Sequence, residues 1–249
     1  IVPLIWGGFE LSRLSAIEPE YNLKISKTLT PDASGQQDLA ISNALQDLHE
    51  LLLAFPGFTV SGLNVRIKDG SVRIFDGDQR VFGFHDLQAS YSRPENETQF
   101  DLTCKSNLWN DISINGRLDA EKFSGHGSIR FAEFRPHALS NYFFPDSPLK
   151  ITEALANLAI DFELNGPAWF RANLNGSVPY IKVTNEHSKL EFRDSLINGT
   201  VRVTENQTSF SIEKLSMLQP RINLAGKLMF DQHKPLVTLE AEGRDFEIE

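Results

Sequence analysis

The residues able to do chemistry are scattered along this sequence, and none falls into a spacing that chemistry requires. Six histidines, His49, His85, His126, His137, His187 and His233, stand far apart. A zinc hydrolase sets two histidines one helical turn apart around a glutamate, as in His-Glu-x-x-His, and that arrangement is missing. Each histidine therefore reads as a surface or turn residue. Cys104 is the sole cysteine, so neither a disulfide framework nor a cysteine-based metal site can be built, and the redox compartment stays open. Gly125-His126-Gly127 starts like a dinucleotide-binding fingerprint, but the third glycine and the following helix are lacking. Carboxylate pairs occur at Asp76/Asp78 and Glu95/Glu97 in turn-like stretches, and at Asp161/Glu163 on the polar side of an alternating run. General acid–base work needs one carboxyl held in an apolar pocket so that its pKa rises, and nothing here provides that. No Gly-x-Ser-x-Gly elbow or Walker loop occurs. The sequons at Asn96, Asn198 and Asn206 are short enough to arise by chance. No catalytic, cofactor-binding or metal-ligating residue is assigned, and the chain is expected not to be an enzyme.

The elements that would position a site are more legible. The chain has 249 residues, 41% hydrophobic and 23% charged, enough for one large all-β domain or two ordinary ones. Lys and Arg number 24 against 33 Asp and Glu, a formal charge of -9. With no basic cluster longer than two residues, it lacks the footprint that neutralises phosphates, so nucleic acid is excluded as a partner. An anionic membrane surface would repel it for the same reason. No run of 18 or more apolar residues is present to span a bilayer. The opening Ile1-Val2-Pro3-Leu4-Ile5-Trp6 is too short for a signal peptide; it fits the trimmed end of a membrane anchor as well as an arbitrary boundary.

Residues 1–35 read as irregular or short strands, broken by Pro3, Pro19 and Pro31. Over 36–55, Leu39, Ile41, Leu45, Leu48, Leu51, Leu52 and Phe55 recur at helical spacing, which predicts an amphipathic helix stopped by Pro56-Gly57 and packed on a sheet. From 58 onward the period becomes two. Val65 and Ile67 precede Asp69-Gly70, and Val72 and Ile74 follow it. That dipeptide accepts positive φ at both corners of a two-residue turn, so a hairpin is expected with Ile67 facing Val72 and Val65 facing Ile74. Alternation then returns repeatedly, from Phe82/Phe84 to Val237/Leu239, with short polar connections that imply antiparallel pairing. Only 134–156 breaks the rhythm, where prolines bracket His137 to Phe144; a short helix or capping loop is expected there.

Apolar-x-Gly-x-apolar recurs at Ile114-Asn115-Gly116-Arg117-Leu118, Leu174-Asn175-Gly176-Ser177-Val178, Ile197-Asn198-Gly199-Thr200-Val201 and Leu224-Ala225-Gly226-Lys227-Leu228. No fixed period links these, so they mark a recurring sheet element and not a solenoid repeat. Phe123, Gly125, Gly127, Ile129 and Phe131 share one face; glycine there leaves room for a bulky neighbour, for bending, or for a ligand chain. Clean alternation leaves one face dry. A single such sheet must cover that face with a second layer, with its own curvature, or with a ligand.

The tail carries the most specific likeness: Phe210-Ser211-Ile212-Glu213-Lys214-Leu215, then Ile222-Asn223-Leu224-Ala225-Gly226-Lys227-Leu228, then Pro235-Leu236-Val237-Thr238-Leu239-Glu240-Ala241. This cadence resembles the AsmA-like bacterial envelope proteins, as do Val60–Asp76 and Ile112–Phe131; the likeness covers roughly 58–249. The resemblance implies a long sheet bent into an apolar groove; joined to the periodicities, the expected fold is mainly β, a long curved antiparallel sheet in the shape of a taco, with the one amphipathic helix near the N-terminus. The resemblance also implies a periplasmic place, an inner-membrane anchor outside this chain, and bridge-like transport of phospholipid or another acyl-chain lipid toward the outer membrane. The expected division is an N-terminal segment, 1–57, and a groove domain, 58–249. Because 237–249 still alternates, the sheet is expected to continue beyond the C-terminus. Val65, Ile67, Val72, Ile74, Phe123, Gly125, Gly127, Ile129, Phe131, Ile160, Phe162, Leu224 and Leu228 are the expected groove lining. The competing expectation is a closed β-sandwich or barrel with a dry core, serving adhesion or outer-membrane assembly.

Overall fold

The computed structural model describes residues 13–25, 45, 49–50, 62–94, 97–143, 147–148, 150–185, 189–204, 207–218, 221–231 and 234–244. Strands dominate: β1 (Arg13–Ile17), β2 (Glu20–Ile25), β3 (Asn64–Asp76), β4 (Gln79–Ser92), β5 (Thr98–Ser106), β6 (Asp111–Asp119) and β7 (Ser124–Phe134) come first. Helix α1 (Pro136–Phe143) follows, at the place where the alternation lapses. Then come β8 (Lys150–Asn165), β9 (Phe170–Thr184), β10 (Lys189–Thr204), β11 (Gln207–Leu218), β12 (Arg221–Asp231) and β13 (Lys234–Arg244). They form one open, curved sheet, each strand from β3 onward antiparallel to the next. Short connections between consecutive alternating runs leave little other choice, since a parallel crossover needs a dozen residues or more.

The predicted helix over 36–55 falls largely outside the described residues. Leu45, His49 and Glu50 are described, and all are helical.

Two expectations are corrected. The pairing is not wholly antiparallel: β1 and β2 run parallel to β3, against Asn64–Lys68 and Ser71–Asp76 respectively. Their long connection to β3 removes the constraint that a tight turn imposes. The second correction is the Asp69-Gly70 hairpin. Both residues lie inside β3, an unbroken strand of 13 residues, and the chain reverses at Gly77-Asp78. Asp69 alone takes positive φ, at 54°, whereas the expected turn needs it at both corners. With one such residue the strand bulges and continues, and the longer ladder with β4 outweighs two short arms. Val65 then lies opposite Tyr91, Ile67 opposite Ala89, Val72 opposite Phe84 and Ile74 opposite Phe82. The extra residue in the bulge shifts the alternation by one, so these four side chains still share a face.

That bulge belongs to a series. Register slips occur around Gly70 in β3, between His85 and Gln88 in β4, between Phe131 and Phe134 in β7, and between Leu155 and Asn157 in β8. Asp69, Asp86, Glu133 and Asp194 take positive φ of 54°, 54°, 53° and 51°. Leu87 lies opposite Gly70, and Cys104, Ile112, Phe131 and Leu158 lie opposite one another from β5 to β8, a row that ends at the slip in β7. A bulge bends its strand and adds twist, so bulges aligned across neighbouring strands bend the sheet along a line. Left-handed backbone at a residue with a Cβ costs about 1 kcal/mol. Asp194→Gly should therefore raise stability by about 1 kcal/mol, and Asp194→Val should lower it, read as shifts of the urea midpoint at unchanged slope.

The apolar face is covered at both ends of the strands. At one, Leu45 packs with Leu118, Phe123, Leu164 and Val203, backed by Phe100, Phe162 and Phe170. Leu118, Leu164 and Val203 come from β6, β8 and β10, so their meeting in one cluster requires the sheet to curl around it. At the other end Phe82 meets Tyr142 of α1 edge-on at 5.1 Å, Phe84 stacks on Trp109 at 5.3 Å, and Trp109 meets Phe131 at 5.5 Å. His137 Nδ1 accepts a hydrogen bond from the Ala154 N–H at 3.1 Å, tying α1 to β8.

Candidate apolar groove

Between those covered ends one row of residues crosses the sheet without interruption. In register it runs Ile67, Ala89, Leu102, Ile114, Ile129 and Ile160, and on through Leu174 and Gly199 to Ile212. The backbone register carries it further to Gly226 and Leu239. Its members up to Gly199 are partly buried, and Ile212 is 41% exposed. The row is aliphatic throughout, without a charged or hydroxyl side chain. Elsewhere on the same face Tyr21, Leu23 and Leu190 are more than half exposed, beside Phe123 and Val203 at 0%. Dry packing is thus confined to parts of the face.

The row on one side of this lane sets two adjacent glycines between two aromatic rings. Phe100 lies opposite Gly116, Gly116 opposite Gly127, and Gly127 opposite Phe162. A Cβ on Gly127 would meet the Phe162 ring at 2.6 Å and the Asn115 carbonyl oxygen at 2.5 Å; one on Gly116 would meet Phe100 at 2.7 Å. Of the readings for these glycines, room for a bulky neighbour is the one the packing bears out, and the rings fill that room. The row on the other side runs Cys104, Ile112, Phe131, Leu158, Gly176 and Ile197, then Leu215 and Leu224. Burial pushes the Cys104 thiol up, away from reactive thiolate.

The expected lining residues divide among these rows. Ile67, Ile129 and Ile160 lie in the central lane. Val65, Gly127 and Phe162 lie in the aromatic–glycine row, where Leu228 also falls by register, opposite Phe210 and Val237. Phe131 and Leu224 lie in the opposite row, and Val72 and Ile74 beyond the bulge. Gly125 stands farther down, opposite Leu118 and Leu164. Phe123 is the exception in role: it sits in the β6–β7 turn at φ 49°, fully buried, its ring centroid 4.6 Å from that of His49. It anchors the dry end of the face. Ala89, Leu102, Ile114, Leu174 and Ile212 were not among the expected lining residues, although the alternation that marks each strand was visible.

The turn holding Phe123 has its own anchor. Asp119 Oδ1 accepts hydrogen bonds from the backbone N–H groups of Glu121 and Lys122 at 3.1 and 3.0 Å, and Lys122 Nζ lies 3.2 Å from Oδ2. Burial raises the Asp119 pKa, but these donors outweigh it and leave the carboxyl below its usual range. A carboxyl depressed in the folded state adds stability above its unfolded pKa, and loses it as pH falls through the folded one. Asp119→Asn should therefore be less stable than the parent at about pH 7, with the gap closing well below about pH 4. Denaturant titrations at the two ends of that range measure it.

The opposite face is polar. Arg130 bridges Asp161 at 2.8 Å, Lys182 pairs with Glu153, and Arg73 makes a two-pronged bridge to Glu20 at 3.2 Å. The hydrogen bond from Lys182 holds the Glu153 carboxyl below its usual range. Among the described residues no group of three or more His, Cys, Asp or Glu is arranged to hold a metal ion, and no helix is long and apolar enough to cross a membrane. The sequence matches no protein-family model, and neither the curated proteins nor the solved structures yield a significant match.

Proposed function

We propose that the apolar face holds acyl chains and that the protein conveys phospholipid along it between the membranes of a bacterial envelope. One observation carries this reading: an aliphatic lane, continuous from Ile67 to Ile212 and only partly buried, on a sheet whose edges do not close. From β3 to β13 that lane is about 50 Å long at ~4.8 Å per strand, before twist shortens it. Each methylene withdrawn from water gains about 0.8 kcal/mol, so about ten of them contribute about 8 kcal/mol before the cost of association. No polar contact is needed for that gain, which suits cargo that must slide. Head groups would remain in water at the rim. The likeness to AsmA-like proteins adds the periplasmic setting, the inner-membrane anchor and the direction toward the outer membrane. The role is one of carriage and not of catalysis.

Mass spectrometry of organic extracts from the purified chain is the direct test. Phospholipid should co-purify, and a photo-crosslinking residue at Leu174 should label it while one at Asn173 should not. A lipid-free protein that takes up no fluorescent phospholipid from vesicles would leave only a structural or adhesive role for this face.

A further inference from the structure

The polar face holds a second feature, unrelated to the lane behind it. Across β5 to β9, Asp101, Asn115, Ser128, Asp161 and Asn173 stand opposite one another in register, one from each strand. Beside them runs a parallel row of Gln99, Arg117, His126, Glu163 and Arg171. Together they line a concavity of about 1060 Å³, at the large end of the range for ligand sites. The first row is braced: Ser128 Oγ donates to Asn115 Oδ1 at 3.2 Å, and Arg130 holds Asp161 at 2.8 Å. The second row is largely unspent. Arg171 is partly buried, and its Nε is enclosed with no hydrogen-bond partner among the described residues. Glu163, directly opposite, forms no ion pair with it, and Gln99, Asp101 and His126 likewise make no side-chain bond to described protein groups.

We propose that this concavity binds an extended, uncharged glycan laid across the strands. Strands repeat every ~4.8 Å, close to the length of one pyranose along an extended chain. Successive sugars would each meet one residue from either row. Carboxylates accept from sugar hydroxyls, side-chain amides both donate and accept, and the guanidinium fork of Arg171 matches a pair of adjacent hydroxyls. The charges decide against an ionic polymer. Within the concavity Asp101, Asp161 and Glu163 stand among Arg117 and Arg171, and Arg130 bridges Asp161 from beyond its lining, in a protein whose formal charge is -9 overall. A polyanion would meet three carboxylates here, and a polycation two guanidinium groups.

Isothermal titration of the chain with cellohexaose, maltohexaose and chitohexaose tests this, with their monosaccharides and hexagalacturonate as further arms. At least one neutral hexasaccharide should bind, with affinity rising as the chain lengthens to about five sugars, one per strand. Asn173→Ala and Arg171→Ala should weaken it at least tenfold, and Lys122→Ala, outside the concavity, should leave it unchanged. Should Arg171→Ala fail to fold, Asp101→Ala at the exposed margin gives the same reading. The inference is overturned if none of the neutral hexasaccharides binds at millimolar concentration, or if monosaccharide and hexasaccharide bind equally. Preference for hexagalacturonate, or full affinity in Asn173→Ala, would overturn it as well.

Discussion

Aspartate at Ile129 or Ile160 should unfold the central lane or empty it of lipid, whereas aspartate at Arg66 should do neither. Ile129 lies between Ile114 and Ile160 in register, and each of the three is partly buried. A carboxylate there loses water and meets only aliphatic neighbours, a penalty of about 3 kcal/mol. For a chain of this size that lowers the melting temperature by roughly 6–12 °C. If the variant still folds, the charge would lie in the proposed path of an acyl chain, and co-purifying phospholipid should drop sharply. Arg66 lies on the other face and is exposed, so the change there should stay within about 0.5 kcal/mol. Arg73 is a poorer control than its exposure-alternation suggests, because it bridges Glu20 and ties β2 to β3. Equal losses at Ile129 and Arg66, by thermal melting and by lipid extraction, would show that the two faces have been exchanged.

Gly125→Ala should be the most damaging of the glycine substitutions, and no companion change should repair it. Its added methyl would collide with the Arg117 carbonyl oxygen and reach Leu118 Cα at 2.9 Å, both backbone atoms of the paired strand. Strands cannot part there without breaking the β6–β7 ladder, so the cost sits at the upper end of overpacking, about 3 kcal/mol. Gly176→Ala meets the Leu158 side chain at 2.6 Å instead, with the Asn157 carbonyl oxygen and Ile197 at 3.0 Å. Leu158 can swing away, so that substitution should cost about 1 kcal/mol, and Leu158→Ala should relieve part of it in a double-mutant cycle. A Gly125→Ala protein that melts with the parent would mean that β6 and β7 are not held this closely.

Alternation, turn spacing and the lapse over 134–156 made the strand-rich meander and the short helix legible, because side-chain period and chain reversal are local properties. Asp69-Gly70 shows where local reading stops. The dipeptide permits a hairpin and a bulge alike, and the choice was made by β4, which pairs with β3 along its whole length. The lining residues show the same limit. Val65, Ile67, Val72 and Ile74 share a face by register, and the cause is a shift of alternation at a bulge and not the expected turn. Gly125 and Gly127 were visible as gaps on the apolar face, but what fills them comes from Phe162 and from the β6 backbone.

The sequence by itself determined which faces of the strands are apolar, where most of them end, and that no cluster of chemical groups lies close along the chain. Only the tertiary structure decided that Ile67, Ala89, Leu102, Ile114, Ile129, Ile160 and Leu174 form one lane, and that five polar residues of different strands form another behind it. The reason is register. A strand carries its own alternation, but its alignment with a neighbour depends on bulges and turns that belong to the pair, and a slip of one residue exchanges the faces. The parallel edge made by β1 and β2 lies further still from local reading, since nothing in either segment specifies a partner some fifty residues along the chain.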